Sequence, residues 1–156
     1  MGETTFKLAG GYVDADIPYT NLYNGNGAYR VFTIFAPFSF STMRMNEFMS
    51  DRYFSLYYTH NFGSLLFEAG KFQPELAIST NLGFGWFKGD PDKHYNISYK
   101  TMELGYYESG IMVHNILNLN FFNIGLGCFY RYGPYNLEKT GDNFAYKFSV
   151  NFPFRR

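Results

Sequence analysis

The chain of 156 residues lacks most of what would build a disulfide framework, a metal centre or a helical membrane anchor. Its single cysteine, Cys128, excludes an internal disulfide and any multi-cysteine metal site. No apolar run approaches the roughly 18 residues that a transmembrane helix needs. Charged residues make up only 17% of the chain and balance to a net charge of zero, which argues against electrostatic capture of nucleic acid.

Aromatic residues, by contrast, are abundant. The chain has 19 Phe and 15 Tyr against one Trp, and aromatics reach 22% of all residues. A soluble domain usually carries about 25% charged residues, so this chain is short of charge as well as rich in rings. The arrangement of the rings along the chain therefore carries most of the information about its fold.

Apolar and small or polar residues alternate along residues 74–87. This alternation predicts a β-strand with two different faces, because successive side chains of a strand point to opposite sides. It continues over the roughly 9–11 residues that a tilted strand needs to cross a bilayer. One face carries Leu76, Ile78, Thr80, Leu82, Phe84 and Trp86, and the other carries Ala77, Ser79, Asn81, Gly83 and Gly85.

The same alternation recurs in residues 122–132 and 144–152, and less cleanly in residues 4–13, 52–66 and 105–117. Recurrence matters because a single transmembrane strand gives a much weaker signal than a transmembrane helix. We predict an all-β chain with one domain over residues 1–156: an antiparallel meander of about six to eight strands in an outer-membrane β-barrel. The residues predicted to face the membrane are Leu76, Ile78, Leu82, Phe84, Phe122, Ile124, Leu126, Phe148 and Val150.

The connections predict the orientation of the strands. Residues 67–73 and 118–120 are short connections, whereas residues 14–51, 88–104 and 133–142 are longer and rich in Gly, Pro, Asn and Asp. Bacterial barrels place short turns in the periplasm and long loops outside, so both chain ends are expected at the periplasm. Six strands are too few for a closed single-chain barrel. Either residues 14–51 hide two further strands, including residues 29–40, or the chain is part of a larger barrel, which is the alternative we favour.

Several short segments resemble a known family. They are Ile17-Pro18-Tyr19, Asn46-Glu47-Phe48-Met49, Gly105-Tyr106-Tyr107-Glu108, Arg131-Tyr132-Gly133-Pro134-Tyr135 and Asp142-Asn143-Phe144-Ala145-Tyr146. In order and spacing they resemble the C-terminal part of the DUF5686 family, large outer-membrane proteins of Gram-negative bacteria. The resemblance implies a truncated barrel without the family's N-terminal immunoglobulin-like regulatory domain. The family's carboxypeptidase label refers to that accessory domain, so no catalytic residue is transferred to this chain.

Two groups of aromatic residues have expected roles in the membrane. Trp86, Tyr107, Tyr130 and Tyr132 fall at the predicted outer ends of neighbouring strands and are expected to form an aromatic girdle at the headgroup level. Phe148, Phe152 and Phe154 alternate near the C-terminus, where barrel-assembly machinery would read them. The start of the chain, Met1-Gly2-Glu3, lacks the basic and apolar regions of a secretory signal, so a mature product or a fragment is expected.

Charged residues on the predicted inner face suggest one contact within the barrel. With a turn centred near Asn118, Glu108 would lie opposite Phe129 and diagonal to Arg131. Both charges would face the lumen, and they could pair there. Lys147 is expected to point into the lumen as well, because a lysine is costly in lipid.

Catalytic chemistry is not expected. Ser109 and His114 are five residues apart on one strand, so they face opposite sides and cannot form a nucleophile–base pair. We therefore predict a non-enzymatic outer-membrane protein without cofactor or metal, with a structural, transport-associated or envelope-assembly role. Its expected partners are outer-membrane lipid, the barrel-assembly machinery and the missing strands of a longer protein. A soluble small-ligand-binding β-barrel and an outer-membrane barrel enzyme remain the alternatives.

Overall fold

The computed structural model describes residues 2–14, 18–64, 72–88, 100–118 and 122–151 of the chain. These residues form seven β-strands and two short 3-10 helices, Tyr19–Asn21 and Thr140–Asn143. The strands are β1 (Glu3–Tyr12), β2 (Phe32–Ile34), β3 (Arg52–Asn61), β4 (Glu75–Trp86), β5 (Met102–Asn118), β6 (Asn123–Tyr132) and β7 (Phe144–Asn151).

All seven strands belong to one sheet with the spatial order β1-β3-β4-β5-β6-β7-β2. Every pairing from β1 to β7 is antiparallel, whereas β2 pairs with β7 in parallel. The predicted all-β meander is therefore confirmed, and each of the six predicted strands is present with ends shifted by a few residues. The closed barrel is not observed, because β1 and β2 lie at opposite edges of an open sheet.

The two sides of the sheet differ as the alternation predicts. On β4, five alternate residues are buried: Ala77, Ser79, Asn81, Gly83 and Gly85. The residues that alternate with them, and Trp86 at the end of the strand, are all at least partly exposed. Strand β7 repeats the pattern, with Ala145, Lys147 and Ser149 buried. We call the buried side the covered face and the other side the exposed face.

The covered face is buried by the chain's own residues 18–51, which we call the covering segment. Phe40, Met43 and Phe48 of this segment are completely buried against Tyr57 and Tyr106 of the sheet. Ring contacts join the two layers, since Phe40 lies 5.1 Å from Tyr57 and 5.2 Å from Tyr106 between ring centroids. The expected long loop therefore packs against the covered face of the sheet.

The covering segment contains one strand instead of the two that an eight-stranded barrel would need. Phe32–Ile34, within the predicted range 29–40, runs beside Tyr146, Lys147 and Phe148. Backbone bonds from Phe35 to Phe148 and from Tyr146 to Val31 extend this pairing on both sides. β2 lies beside β7, runs parallel to it and is the last strand of the sheet on that side.

Two backbone irregularities adjust the register of β5. A bulge lies between Gly83 and Gly85 on its β4 side, and a second shift lies between Val113 and Leu117 on its β6 side. Asn115, inside the second shift, has a φ of 57°, a left-handed conformation that Asn tolerates better than most residues. The first shift changes which residues of β5 lie opposite those of β4, and the second changes which lie opposite those of β6.

Candidate functional site

The exposed face is apolar on five consecutive strands. Side chains from β3 to β7 that are 38–56% exposed include Phe54, Tyr58, Ile78, Trp86, Ile111, Leu126, Tyr132 and Tyr146. On the covered face of the same strands, Tyr57, Ala77, Tyr106, Phe129 and Ala145 are at most 4% exposed. A contiguous apolar surface of this extent is unusual on a monomeric soluble protein and generally marks a contact with lipid or another macromolecule.

Aromatic rings form a row across one end of the exposed face. The row begins at Trp86, whose ring stacks 6.1 Å from Phe84, and continues through Tyr107 to Tyr132, whose rings are also 6.1 Å apart. Tyr130 follows beside Phe144, with 4.7 Å between ring centroids. The four predicted girdle residues thus lie near one edge of the same surface.

The predicted membrane-facing residues in β4, β6 and β7 lie on this exposed face, interleaved with buried neighbours. Whether lipid covers them stays a prediction. Of the predicted assembly signal, Phe148 is in β7, where it pairs with β2 and its ring lies 5.5 Å from Phe32. Phe152 and Phe154 lie outside the described residues.

The covered face contains a buried polar centre at Glu108, which is fully buried on β5. Its carboxylate accepts hydrogen bonds from the backbone nitrogens of Ser41 and Thr42, both at 2.8 Å. The Thr42 hydroxyl donates at 2.6 Å and the Asn81 amide at 2.8 Å. Four donors converge on this carboxylate, and three of them belong to the covering segment.

Two further charges anchor the same segment. Arg131 on β6 forms a salt bridge of 2.8 Å with Glu47, and its guanidinium lies 4.8 Å from the centre of the Tyr106 ring. Lys147 on β7 donates to the backbone oxygen of Ala28 at 2.8 Å. Each buried charge of the sheet therefore holds a different part of the covering segment.

Glu108 and Arg131 lie together on the covered face, as predicted, but their hydrogen bonds and salt bridges go to other residues. The two residues lie directly opposite each other on the covered face, whereas the predicted register placed Phe129 opposite Glu108. Within the described residues, the salt-bridge partner of Arg131 is Glu47, and the donors to Glu108 come from residues 41, 42 and 81. The covering segment supplies partners that the strand pattern alone could not reveal.

The serine and histidine of β5 are separated as expected. The Ser109 hydroxyl bonds to Thr80 and Tyr132, both at 3.1 Å, on the exposed face. His114 instead bonds to Ser149 at 3.0 Å on the covered face. Because the two side chains lie on different faces of the sheet, His114 is not placed to act as a base for Ser109.

Tyr23 of the covering segment lies flat against Tyr53 of β3, with ring centroids 3.5 Å apart. Burial raises the pKa of the Tyr23 hydroxyl well above its ordinary value, and the nearby Tyr57 hydroxyl raises it further. This phenol stays protonated in the folded protein at any ordinary pH.

Comparison with known proteins gives no match. No family model, curated protein or solved structure is similar to this chain. The resemblance to the DUF5686 family therefore stays a prediction. Within the described residues, no helix is long and apolar enough to span a bilayer, and no group of three or more His, Cys, Asp and Glu side chains is placed to hold a metal ion.

Proposed function

We propose that this chain is a non-catalytic wall segment of an outer-membrane β-barrel, with its covering segment filling the inner side of the wall. The observation that carries the proposal is that the sheet leaves an apolar face exposed while it buries charged side chains on the other face. Its exposed face is apolar, while its covered face holds Glu108, Arg131 and Lys147. A soluble sheet normally buries its apolar face and hydrates its polar one, whereas a barrel wall does the opposite.

The aromatic row supports the same proposal. Phenol and indole rings favour the headgroup region of a membrane, where one part of the ring is apolar and another is wet. A row of such rings at one end of the apolar face is typical of a barrel girdle. Trp86, Tyr107, Tyr130 and Tyr132 would then fix the depth of the wall in the outer membrane.

The role that fits is structural, transport-associated or concerned with envelope assembly, as the resemblance to the DUF5686 family also implies. The covering segment supports a filled wall in preference to an open pore, because it is anchored at Glu108, Arg131 and Lys147. The partners are outer-membrane lipid, barrel-assembly machinery and further strands. In the part of the chain that the structure describes, β1 pairs on one side only, and lipid offers its other backbone edge no donor or acceptor.

The single tryptophan tests the proposal directly. The protein is folded into vesicles of lipids brominated at different depths, and quenching of Trp86 is measured. We expect strongest quenching by bromines near the headgroups. A matched variant, Trp86→Phe with Leu82→Trp, moves the indole four residues along the same face, about 13 Å along the strand at ~3.3 Å per residue. Its strongest quenching should shift toward the bilayer centre.

The soluble alternative makes a different prediction. A chain that stays monomeric in buffer without detergent, with no quenching at either tryptophan position, would contradict the membrane proposal. It would favour the soluble ligand-binding barrel instead.

A further inference from the structure

A pocket of about 240 Å³ lies between the covering segment and the covered face, next to the open edge of the sheet. Its floor includes a row of hydroxyl groups from three neighbouring strands. Thr5 of β1 pairs with Thr59 of β3, which pairs with Ser79 of β4. The hydroxyls of Thr59 and Ser79 are 3.0 Å apart. The Ser79 hydroxyl donates to the backbone oxygen of Tyr58 at 3.1 Å, so Thr59 donates to Ser79 and keeps its own lone pairs to accept from a ligand's hydroxyl.

Aromatic rings of the covering segment form the opposite wall. Phe35 and Phe38 line the pocket together with Pro37. The Phe35 ring stacks 5.7 Å from Phe129, and the Phe38 ring meets Tyr57 edge-on at 6.4 Å. The pocket thus has a hydroxylated side and an aromatic side facing each other.

Asn81 adds a directed acceptor. Only 4% of this residue is exposed, and its amide nitrogen donates to Glu108 and to the backbone oxygen of Ser39. Because both of these partners are acceptors, the amide orientation is fixed with its nitrogen toward them. Within the described residues, no donor bonds to the amide oxygen. That oxygen is available to a donor in the pocket that Asn81 lines.

We propose that this pocket binds a small neutral polyhydroxylated ring of the size of a monosaccharide. No charged side chain lines the pocket, which favours a neutral ligand, although the ammonium of Lys7 lies 5.0 Å from the centre of the Phe38 ring. Its volume is below the roughly 300–1,000 Å³ of pockets for drug-sized ligands. The hydroxyl groups of such a ring would bond to the floor and to Asn81, while its C–H face would pack against Phe38. The inference does not depend on membrane insertion, because the pocket lies on the covered face.

The test uses the full chain in a zwitterionic detergent without a sugar headgroup. Binding of D-glucose and N-acetyl-D-glucosamine is measured by saturation-transfer NMR, with cyclohexanol as an apolar ring of similar size. The variant Thr59→Val removes one floor hydroxyl at nearly constant volume. Its matched control is Thr80→Val, whose hydroxyl also bonds to a serine, at 3.1 Å, but on the exposed face.

We expect saturable binding of at least one sugar, weakened about tenfold by Thr59→Val and unchanged by Thr80→Val. A second variant, Phe38→Leu, should also weaken binding, whereas Tyr58→Leu on the exposed face should not. The proposal is overturned if no sugar binds below about 10 mM. It is equally overturned if cyclohexanol binds as well as the sugars, or if the floor variant and its control lose the same affinity.

Discussion

Replacing Glu108 by glutamine should detach the covering segment. Oε1 of Glu108 accepts from two obligate donors, the Ser41 nitrogen and the Asn81 amide. Oε2 accepts from the Thr42 nitrogen and from the Thr42 hydroxyl, which can rotate to accept instead. The new side-chain nitrogen therefore fits best in place of Oε2, because the Thr42 hydroxyl can turn and accept from it. It then faces the backbone N–H of Thr42, which is a donor and cannot accept a hydrogen bond.

The cost follows from that single conflict. A hydrogen bond to a charged group contributes about 1.5–3 kcal/mol, and an orphaned buried donor costs about 1–3 kcal/mol. Near the lower end of both ranges their combined effect is about 3 kcal/mol, and since 1.4 kcal/mol is a factor of ten, the population of detached segment should rise roughly 100-fold. Only the attachment of the covering segment is weakened, so the strands of the sheet should remain paired.

Limited trypsin digestion measures this population. The Arg44 side chain is exposed, but the chain on both sides of it is held by the fully buried Met43 and Phe48, so efficient cleavage requires local opening. When opening and closing are fast relative to cleavage, the cleavage rate follows the open population. Cleavage at Arg44 should therefore accelerate roughly 100-fold in Glu108→Gln.

The matched control is Glu103→Gln, which changes an exposed carboxylate on the same strand. It should leave cleavage at Arg44 unchanged. The anchoring role of Glu108 is refuted if Glu108→Gln is cleaved at a rate within about twofold of that of the unmodified protein, or if both variants are cleaved equally faster. Circular dichroism on each variant should report the same strand content.

Three other perturbations test the packing and protonation of the covered side. Gly83→Ala should destabilise the fold by about 1–3 kcal/mol in urea unfolding, because its new Cβ would lie 2.7 Å from the ring of Phe40. Asn143→Ala should loosen the connection between β6 and β7 by about 2 kcal/mol, because it removes a side chain that both accepts from and donates to the backbone of Leu137. Stability should fall as pH rises past about 10, because the unfolded chain then loses the Tyr23 proton that the folded protein, with its raised pKa, retains.

Each of these predictions has a control in the same chain. Gly141→Ala has open space around its new Cβ and should have little effect on stability. Asn136→Ala, an exposed neighbour, should not change trypsin cleavage at Lys139, whereas Asn143→Ala should accelerate it. Tyr23→Phe should reduce the alkaline loss of stability. An unchanged pH profile in this variant would contradict the assignment to Tyr23.

The strands and their faces could be predicted from the sequence because alternation is local. Each residue of β4 occupies the side that its neighbours two positions away indicate, and the burial of Asn81 and Lys147 follows the same rule. The alternation predicted which residues of the strands are buried, even though it did not predict that residues 18–51 bury them. The segment itself has no period of two or 3.6, so nothing in its sequence predicts what it packs against.

The register at Glu108 and Arg131 differs from the predicted one for a specific reason. Asn118 is still paired, with Asn123, where the prediction centred the turn, and the irregularity between Val113 and Leu117 then changes the register by two residues. Both features depend on backbone geometry at one or two residues, which a hydrophobic pattern does not encode. Partners such as Glu47 and Thr42 come from far along the chain and could be found only from the three-dimensional structure.

The two edges of the sheet are not equivalent, and this gives its growth a direction. The outer edge of β7 is occupied by Phe32–Ile34, so its central backbone groups are already bonded. Within the described residues, β1 pairs only with β3, which leaves one side of Glu3–Tyr12 free over ten residues. At the other edge, β2 offers a further strand only the three residues Phe32–Ile34. A long strand that extends this sheet therefore finds a full-length partner only in β1, so the sheet has one long edge and one short edge for growth.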